Sequence, residues 1–169
     1  MSDLRTDQID TLVQRLADQL LTNNLMLATA ESCTGGGIAQ ALTALAGSSR
    51  WFDSGFVTYS NAAKQRMLNV PAELFRPGAP GAVSEETVRA MTAGAIANSQ
   101  AQMAVAVSGV AGPDGGSEAK PVGTVWIAWQ LRNDGNAQRF QFPGDREAVR
   151  VATVEAALAG LLALLENSD

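Results

Sequence analysis

The sequence predicts an α/β fold, a single-domain three-layer sandwich with a mixed, mostly parallel sheet, helices on both faces and a late antiparallel hairpin. Helical and strand-like periodicities alternate over the first two thirds of the chain, and two consecutive strand-like runs follow. The length of 169 residues is typical of one domain, so we expect a single domain over residues 1–169.

The chain begins with the pattern of a helix, a strand and a second helix. Apolar residues at helical spacing predict a helix over residues 6–24, and the short apolar run at 25–30 predicts a buried strand. Helical spacing resumes at 38–45. The polar, glycine-rich residues 31–37 therefore predict a strand-to-helix turn.

A second strand and helix follow. Residues 55–59 predict a strand, and Ser60 is a suitable N-cap for a short helix that carries Lys64 in its first turn. The proline- and glycine-rich residues 70–83 predict a loop, after which Ser84 begins the next helix with two glutamates in its first turn.

The last third of the chain predicts the rest of the sheet. Strand-like runs occur at 103–107, 122–131 and 137–142. The first is apolar on both alternating faces, as in a central strand covered on both sides, and a glycine-rich loop at 108–116 follows it. Residues 133–136 predict the hairpin turn. A helix that starts near Asp145 and contains 149–165 closes the chain.

Composition limits the classes of partner. The net charge is -5 with no long basic run, which argues against nucleic-acid binding. Apolar stretches such as 161–165 fall short of the ~20 residues that cross a bilayer, and residues 1–5 lack the apolar region of a secretory signal. We therefore expect no membrane partner and a cytoplasmic location.

The counts of cysteine and histidine limit the chemistry. A single cysteine, Cys33, excludes an intrachain disulfide and a multi-cysteine zinc site. The absence of histidine excludes Ser-His-Asp and Cys-His catalysis, HExxH metalloproteases and imidazole zinc sites. Proton transfer near neutral pH must therefore use Lys, Tyr, Asp, Glu or water.

The turn at 31–37 carries the first catalytic candidate. Ser32 is a potential nucleophile, and the amides of Thr34, Gly35 and Gly36 could point at an oxyanion. The alternative interpretation is that Ser32 and Thr34 only cap the following helix.

A nucleophilic serine needs a base, and Lys64 in a first helical turn is one candidate. The helix dipole disfavours a cation there by only ~0.3 to 1 kcal/mol, so burial must supply most of the required loss of charge. Alternatively, Lys64 is a solvated surface residue. Tyr59, the only tyrosine, could relay the proton.

Two further features suggest an anionic ligand. Arg146 and Arg150 lie one turn apart near the start of the last helix, where the dipole disfavours cations, although an ion pair between Glu147 and Arg150 would also explain them. The loop at 108–116 is neither Walker A nor GxGxxG, so its glycines can equally serve tight turns.

Read together, these segments resemble the CinA C-terminal family. The matching motifs, in order along the chain, are AESCTGG at 30–36, AGSS and WF within 46–52, GFVTYSN at 55–61 with Lys64, GAVS at 81–84, SGVAGPDGG at 108–116 and KPVGTVW at 120–126. The motifs span nearly the whole chain and follow one another in the same order as in the family.

The resemblance implies hydrolysis of the carboxamide of nicotinamide mononucleotide (NMN) in pyridine nucleotide salvage. It implies Ser32 as nucleophile, Lys64 as base and Tyr59 as an assisting group, without cofactor or metal, in a homodimer. The residues that we expect to contact the substrate are Thr34, Gly35, Gly36, Ser48, Ser49, Asn61, Ser108, Gly109, Gly112 and Arg146. Of these, Ser48, Ser49, Ser108 and Arg146 are candidates for the phosphate.

Two alternatives remain open at this point. In one, Cys33 is the nucleophile of an amidase in which Glu31 and Lys64 assist. In the other, the chain is a non-catalytic nucleotide-binding or regulatory module, which would bind NMN without releasing ammonia.

Overall fold

A computed structural model describes residues 2–168 of the chain and gives the bounds of its elements. The five α-helices described are α1 (Ser2–Thr22), α2 (Gly37–Thr43), α3 (Asn61–Leu68), α4 (Glu85–Ala97) and α5 (Arg146–Glu166). The five strands are β1 (Leu27–Glu31), β2 (Phe52–Val57), β3 (Met103–Gly109), β4 (Thr124–Leu131) and β5 (Asp134–Gln141). Short 3₁₀ turns lie at Ser48–Arg50 and Ala72–Phe75.

The strands form one mixed sheet in the order β2-β1-β3-β4-β5. β1 pairs in parallel with β2 and β3, whereas the β3–β4 and β4–β5 pairs are antiparallel. The predicted mixed sheet with a late hairpin is confirmed, with its parallel part limited to β2, β1 and β3. Because β1 and β2 run in parallel, the segments that follow them emerge at the same edge of the sheet.

The predicted three layers are confirmed. One face of the sheet packs against α1, α2 and α5 through a hydrophobic cluster that includes Leu16, Trp51, Trp129 and Leu158. The other face packs against α4, which also contacts α3, through a smaller cluster centred on the alanines of β1 and β3. Trp51 and Trp129 are therefore core residues, and Trp129 Nε1 donates a hydrogen bond to Ala157 O at 2.9 Å.

The bounds of β2 and the position of the hairpin turn differ from the prediction. β2 spans Phe52–Val57 rather than 55–59, because its pairing with β1 begins at Phe52 opposite Leu27. Tyr59 therefore lies beyond the strand. The hairpin turn is Arg132–Asn133 rather than 133–136, since Leu131 pairs with Asp134. Gly135 lies within β5, where a Cβ would come 2.8 Å from Trp129 O, so this glycine marks a close strand contact.

By length and composition alone, helix α5 is long and apolar enough to cross a membrane. The short uninterrupted apolar runs of the sequence did not predict this. Half of its most apolar window is buried inside the protein. Val149, Leu158 and Leu161 are fully buried in the larger hydrophobic cluster. This helix therefore has the packing of a core helix.

Candidate active site

The structure brings Ser32 and Lys64 together. Ser32 follows the last residue of β1, and its amide donates to Val107 O of the neighbouring strand at 3.1 Å. Ser60 caps α3 by accepting a hydrogen bond from the amide of Ala63 at 3.0 Å, which fixes Lys64 in the first turn. Lys64 Nζ donates to Ser32 Oγ at 3.1 Å. A primary amine thus lies within proton-transfer distance of a hydroxyl.

The amine of Lys64 is enclosed by backbone. Only 1% of the residue is exposed, and Nζ also donates to Thr58 O at 3.0 Å and Tyr59 O at 3.4 Å. None of the ion pairs found among residues 2–168 involves this lysine. Burial therefore lowers the pKa of Lys64 from its ordinary value of 10.5, which favours the neutral amine that can act as a base.

Tyr59 contacts the pair through its backbone, whereas its hydroxyl points elsewhere. Its carbonyl oxygen accepts weak hydrogen bonds from Lys64 Nζ at 3.4 Å and from Ser32 Oγ at 3.5 Å. Its hydroxyl accepts a hydrogen bond from Arg146 Nη2 at 3.1 Å, and the residue is 60% exposed. The phenol therefore lies beside Arg146, with no hydrogen bond to Ser32 or Lys64 that would relay a proton.

A cavity of about 200 Å³ opens beside Ser32 and Lys64. It is lined by Ser32, Cys33, Tyr59, Asn61, Lys64, Ala82, Val83, Ser108, Gly109, Ala111 and Arg146. The lining contains no carboxylate, and its one exposed cation is Arg146. The cavity thus combines a nucleophile and a base with a surface suited to an anionic ligand.

Seven of the thirteen predicted site residues line this cavity: Ser32, Tyr59, Asn61, Lys64, Ser108, Gly109 and Arg146. Ala82, Val83 and Ala111 also line the cavity but were not among the predicted site residues. Ala82 and Val83 end the loop predicted at 70–83, and Ala111 lies in the glycine-rich loop. Both segments carry motifs of the family resemblance, which was the only available signal.

Thr34, Gly35 and Gly36 do not line the cavity, contrary to expectation. The Thr34 hydroxyl donates to Glu31 Oε1 at 2.5 Å, and the Gly35 amide donates to Ser32 O at 3.0 Å. Gly36 is the N-cap of α2 with φ +104°, a conformation that favours glycine. The Thr34 side chain and the Gly35 amide are thus engaged within the turn and are not available to an oxyanion.

The prediction that Ser48 and Ser49 contact the substrate is wrong for a substrate bound at Ser32 of the same chain. They lie in the 3₁₀ turn that precedes β2, at the edge where β1 and β2 begin. Ser32 follows β1 at the opposite edge. The AGSS motif gave no information about which end of the sheet it occupies.

The glycine-rich loop shapes the cavity by close packing. A Cβ at Gly109 would lie 2.6 Å from Val125 Cγ2, so glycine is needed where β3 meets β4. Gly112 has φ +82°, and its carbonyl accepts a hydrogen bond from Arg146 Nη1 at 2.9 Å. Gly112 thus holds Arg146 and does not line the cavity itself, which corrects its predicted role.

The geometry weakens Cys33 as a nucleophile. Only 6% of this residue is exposed, and it belongs to the larger hydrophobic cluster. Burial raises the pKa of its thiol to about 11, so the reactive thiolate is scarce at neutral pH. Its proposed helper Glu31 is also engaged, because its carboxylate accepts hydrogen bonds from the amides of Ile38 and Ala39 at 2.8 and 2.9 Å.

Within residues 2–168, no three His, Cys, Asp or Glu side chains are grouped in a way that could hold a metal ion. The side chains that line the cavity offer the Ser32 and Ser108 hydroxyls, the Cys33 thiol, the Tyr59 phenol, the Asn61 amide, the Lys64 amine and the Arg146 guanidinium.

Comparison with known proteins agrees with this architecture. The CinA C-terminal domain family matches residues 9–165. The nicotinamide-nucleotide amidohydrolase PncC of Pseudomonas putida is 62% identical over 158 residues, which are 94% of this chain and 98% of that protein. Its Escherichia coli K12 namesake is 48% identical over 151 residues, which are 89% of this chain and 90% of that protein. The crystal structure of the competence damage-inducible protein A from Klebsiella pneumoniae superimposes with a TM-score of 0.90 at 42% identity, over 95% of this chain and 99% of that one.

Proposed function

The chain belongs to the CinA C-terminal domain family, and from that membership we propose that it hydrolyses the carboxamide of NMN to nicotinate mononucleotide and ammonia through Ser32 and Lys64. The enzyme class follows from its relatives: the chain is an amidohydrolase, as are the proteins at 62% and 48% identity that it matches over nearly their whole length. The single observation that carries the mechanism is the 3.1 Å hydrogen bond from Lys64 Nζ to Ser32 Oγ.

In the first half of the proposed reaction, the neutral amine of Lys64 takes the proton of the Ser32 hydroxyl while Oγ attacks the carboxamide carbon. The negative charge moves to the carboxamide oxygen, where backbone amides of residues that line the cavity would stabilise it. Collapse of the intermediate breaks the C–N bond, and the proton held by Lys64 goes to the nitrogen, which leaves as ammonia.

In the second half, water attacks the acyl–Ser32 ester and gives its proton to Lys64. Release of Ser32 then yields nicotinate mononucleotide and restores the hydroxyl and the neutral amine. The sum is one carboxamide and one water converted to one carboxylic acid and one ammonia. This balance needs a single group that alternates between base and acid, which a lysine with a lowered pKa provides.

The cavity lining supports a phosphorylated substrate. Arg146 is held at the rim by Gly112 O and Tyr59 OH, and a guanidinium is well suited to bidentate contact with a phosphate. Ser108 and Asn61 add polar groups, and no lining carboxylate would repel the anion. We therefore propose that Arg146 contacts the phosphate while the carboxamide reaches Ser32.

We propose a cytoplasmic enzyme of pyridine nucleotide salvage that forms a single domain over residues 1–169 and acts as a homodimer. Met1 and Asp169 lie outside the described residues. Analytical ultracentrifugation of the full chain tests the dimer.

Comparison of three substrates tests the function most directly. We expect ammonia release from NMN to be much faster than from nicotinamide riboside or free nicotinamide, because only NMN carries a phosphate for Arg146. The measurement is a coupled ammonia assay at matched substrate concentrations. Saturable NMN binding by calorimetry without ammonia at any enzyme concentration would contradict the proposal and favour a binding module. Equal rates for NMN and the riboside would contradict the phosphate contact.

A further inference from the structure

Arg150 makes unusual contacts for a half-buried arginine. It lies one turn after Arg146 on α5, where its Nε donates to Cys33 O and its Nη2 to Thr34 O, both at 3.2 Å. The ion pair with Glu147, which was the alternative to an anionic ligand, is not among the salt bridges between described residues. The guanidinium is thus directed at two consecutive carbonyls of the turn that begins with Ser32.

These contacts fix the orientation of two peptide planes. Because a trans peptide is planar, a carbonyl held towards α5 turns the next amide the opposite way. Arg150 thereby orients the amide of Thr34 through the Cys33 carbonyl. The Thr34 carbonyl also accepts a hydrogen bond from the Gly37 amide at 3.0 Å, and the Gly35 amide donates to Ser32 O at 3.0 Å. The guanidinium therefore adds two side-chain contacts to the backbone hydrogen bonds of the turn that carries the nucleophile.

A second charged group, the carboxylate of Glu31, holds the same turn. The carboxylate of Glu31 accepts hydrogen bonds from the Thr34 hydroxyl at 2.5 Å and from the Ile38 amide at 2.8 Å. The Glu31 carboxylate thus accepts hydrogen bonds from the turn and from α2, while the Arg150 guanidinium donates hydrogen bonds to carbonyls of the turn. Two ionic side chains with complementary roles are a costly way to hold a turn that only needs to reverse direction.

Gly35 lies in the same turn and has φ +59°, a left-handed conformation that favours glycine. A Cβ there would lie 3.4 Å from Arg150 Nη2, which is close to ordinary van der Waals contact. The backbone conformation, rather than a lack of room beside the guanidinium, therefore favours glycine at this position.

We propose that Arg150 is a positioning residue for the amide hydrolysis, which holds the Cys33 and Thr34 carbonyls so that the Ser32 hydroxyl keeps its reactive orientation. This inference rests on the proposed function, in which Ser32 is the nucleophile. Arg150 does not line the cavity and has no contact with the substrate in this scheme. Its loss should therefore lower kcat with little effect on KM.

The test compares Arg150→Met and Arg150→Lys with Arg5→Met. Arg5 is a matched control, because it also holds α5 by pairing with Glu155 at 2.9 Å but lies away from the turn. We expect Arg150→Met to lower kcat for NMN by about 10²-fold, the size of effect that misplaced reacting groups produce. The kcat of Arg150→Lys should be intermediate, since an ammonium keeps the positive charge but not the forked geometry with which the guanidinium donates to two carbonyls.

A second readout does not depend on NMN. Phenylmethylsulfonyl fluoride forms a sulfonyl ester with an activated serine and releases fluoride, and mass spectrometry then gives the rate of labelling at Ser32. We expect the rate to fall in Arg150→Met by a factor similar to that in kcat and to be unchanged in Arg5→Met. If Arg150→Met does not fold, Arg150→Lys provides the same comparison.

The outcomes separate this inference from the proposed function. If the enzyme deamidates NMN and Arg150→Met has the same kcat as Arg5→Met, or loses activity only through KM, the positioning role is overturned and the function stands. If no variant releases ammonia from NMN, the proposed function fails, and the Ser32 labelling rates alone decide the role of Arg150. If Ser32 of the unsubstituted enzyme is not labelled at all, both are overturned.

Discussion

Ser32→Ala should reduce the kcat for ammonia release from NMN by on the order of 10³-fold or more, which is the range seen when a nucleophile of a hydrolase is removed. The Ser32 hydroxyl is the only one that Lys64 Nζ contacts among the described residues. Its remaining hydrogen bond, to Tyr59 O, is a long 3.5 Å. The folded state should therefore lose only about 1 kcal/mol, so that the loss of activity is not a loss of fold.

Cys33→Ser is the matched control for this variant. It replaces the adjacent side chain of the same turn by one of similar size and leaves the Ser32–Lys64 hydrogen bond in place. We expect it to retain most of the activity, because burial raises the pKa of the Cys33 thiol to about 11 and leaves little thiolate. If Cys33→Ser is inactive and Ser32→Ala is active, the thiol is the nucleophile and the serine mechanism is wrong.

Lys64→Met should reduce kcat by a similar factor. Methionine approximates the volume of the lysine side chain in its buried site but cannot accept the Ser32 proton. The double variant with Ser32→Ala should be no slower than the slower of the two single variants, because groups that act as one unit are not additive. Steady-state kinetics of the three variants provide the measurement.

Lys120→Arg is the control for this second substitution. The other lysine of the chain binds Pro80 O outside the cavity lining, and arginine can keep that hydrogen bond. We expect its kcat to stay near that of the unsubstituted enzyme. If Lys64→Met retains its activity, another group takes the serine proton and the proposed pair is incorrect.

Local signals in the sequence predicted much of the site. The apolar run before residues 31–37 placed Ser32 at the end of a buried strand, and the N-cap Ser60 placed Lys64 in a first helical turn. Both are short-range features, governed by strand periodicity and helix capping. Parallel pairing of β1 with β2 then brings the two turns to one edge.

Long-range contacts were not predictable in the same way. The sequence left Arg150 either to bind an anionic ligand or to pair with Glu147, three residues away. In the structure it contacts Cys33 and Thr34, more than a hundred residues earlier in the chain. The position of the Arg150 side chain depends on how α5 packs against the sheet and α2, which no local sequence pattern encodes. Ser48 shows the same limit, since its sequence motif does not specify an edge of the sheet.

The most direct test of the account is the protonation of Lys64 itself. The chain contains two lysines, so the enzyme labelled with ¹³Cε-lysine gives two lysine signals, and the one missing from Lys64→Met belongs to Lys64. A lowered pKa means that the amine becomes neutral before the ordinary value of 10.5 is reached as pH rises. The account predicts that this signal titrates clearly below 10.5 and that kcat/KM rises over the same pH range. Titration at or above 10.5, with activity already complete at lower pH, would contradict it.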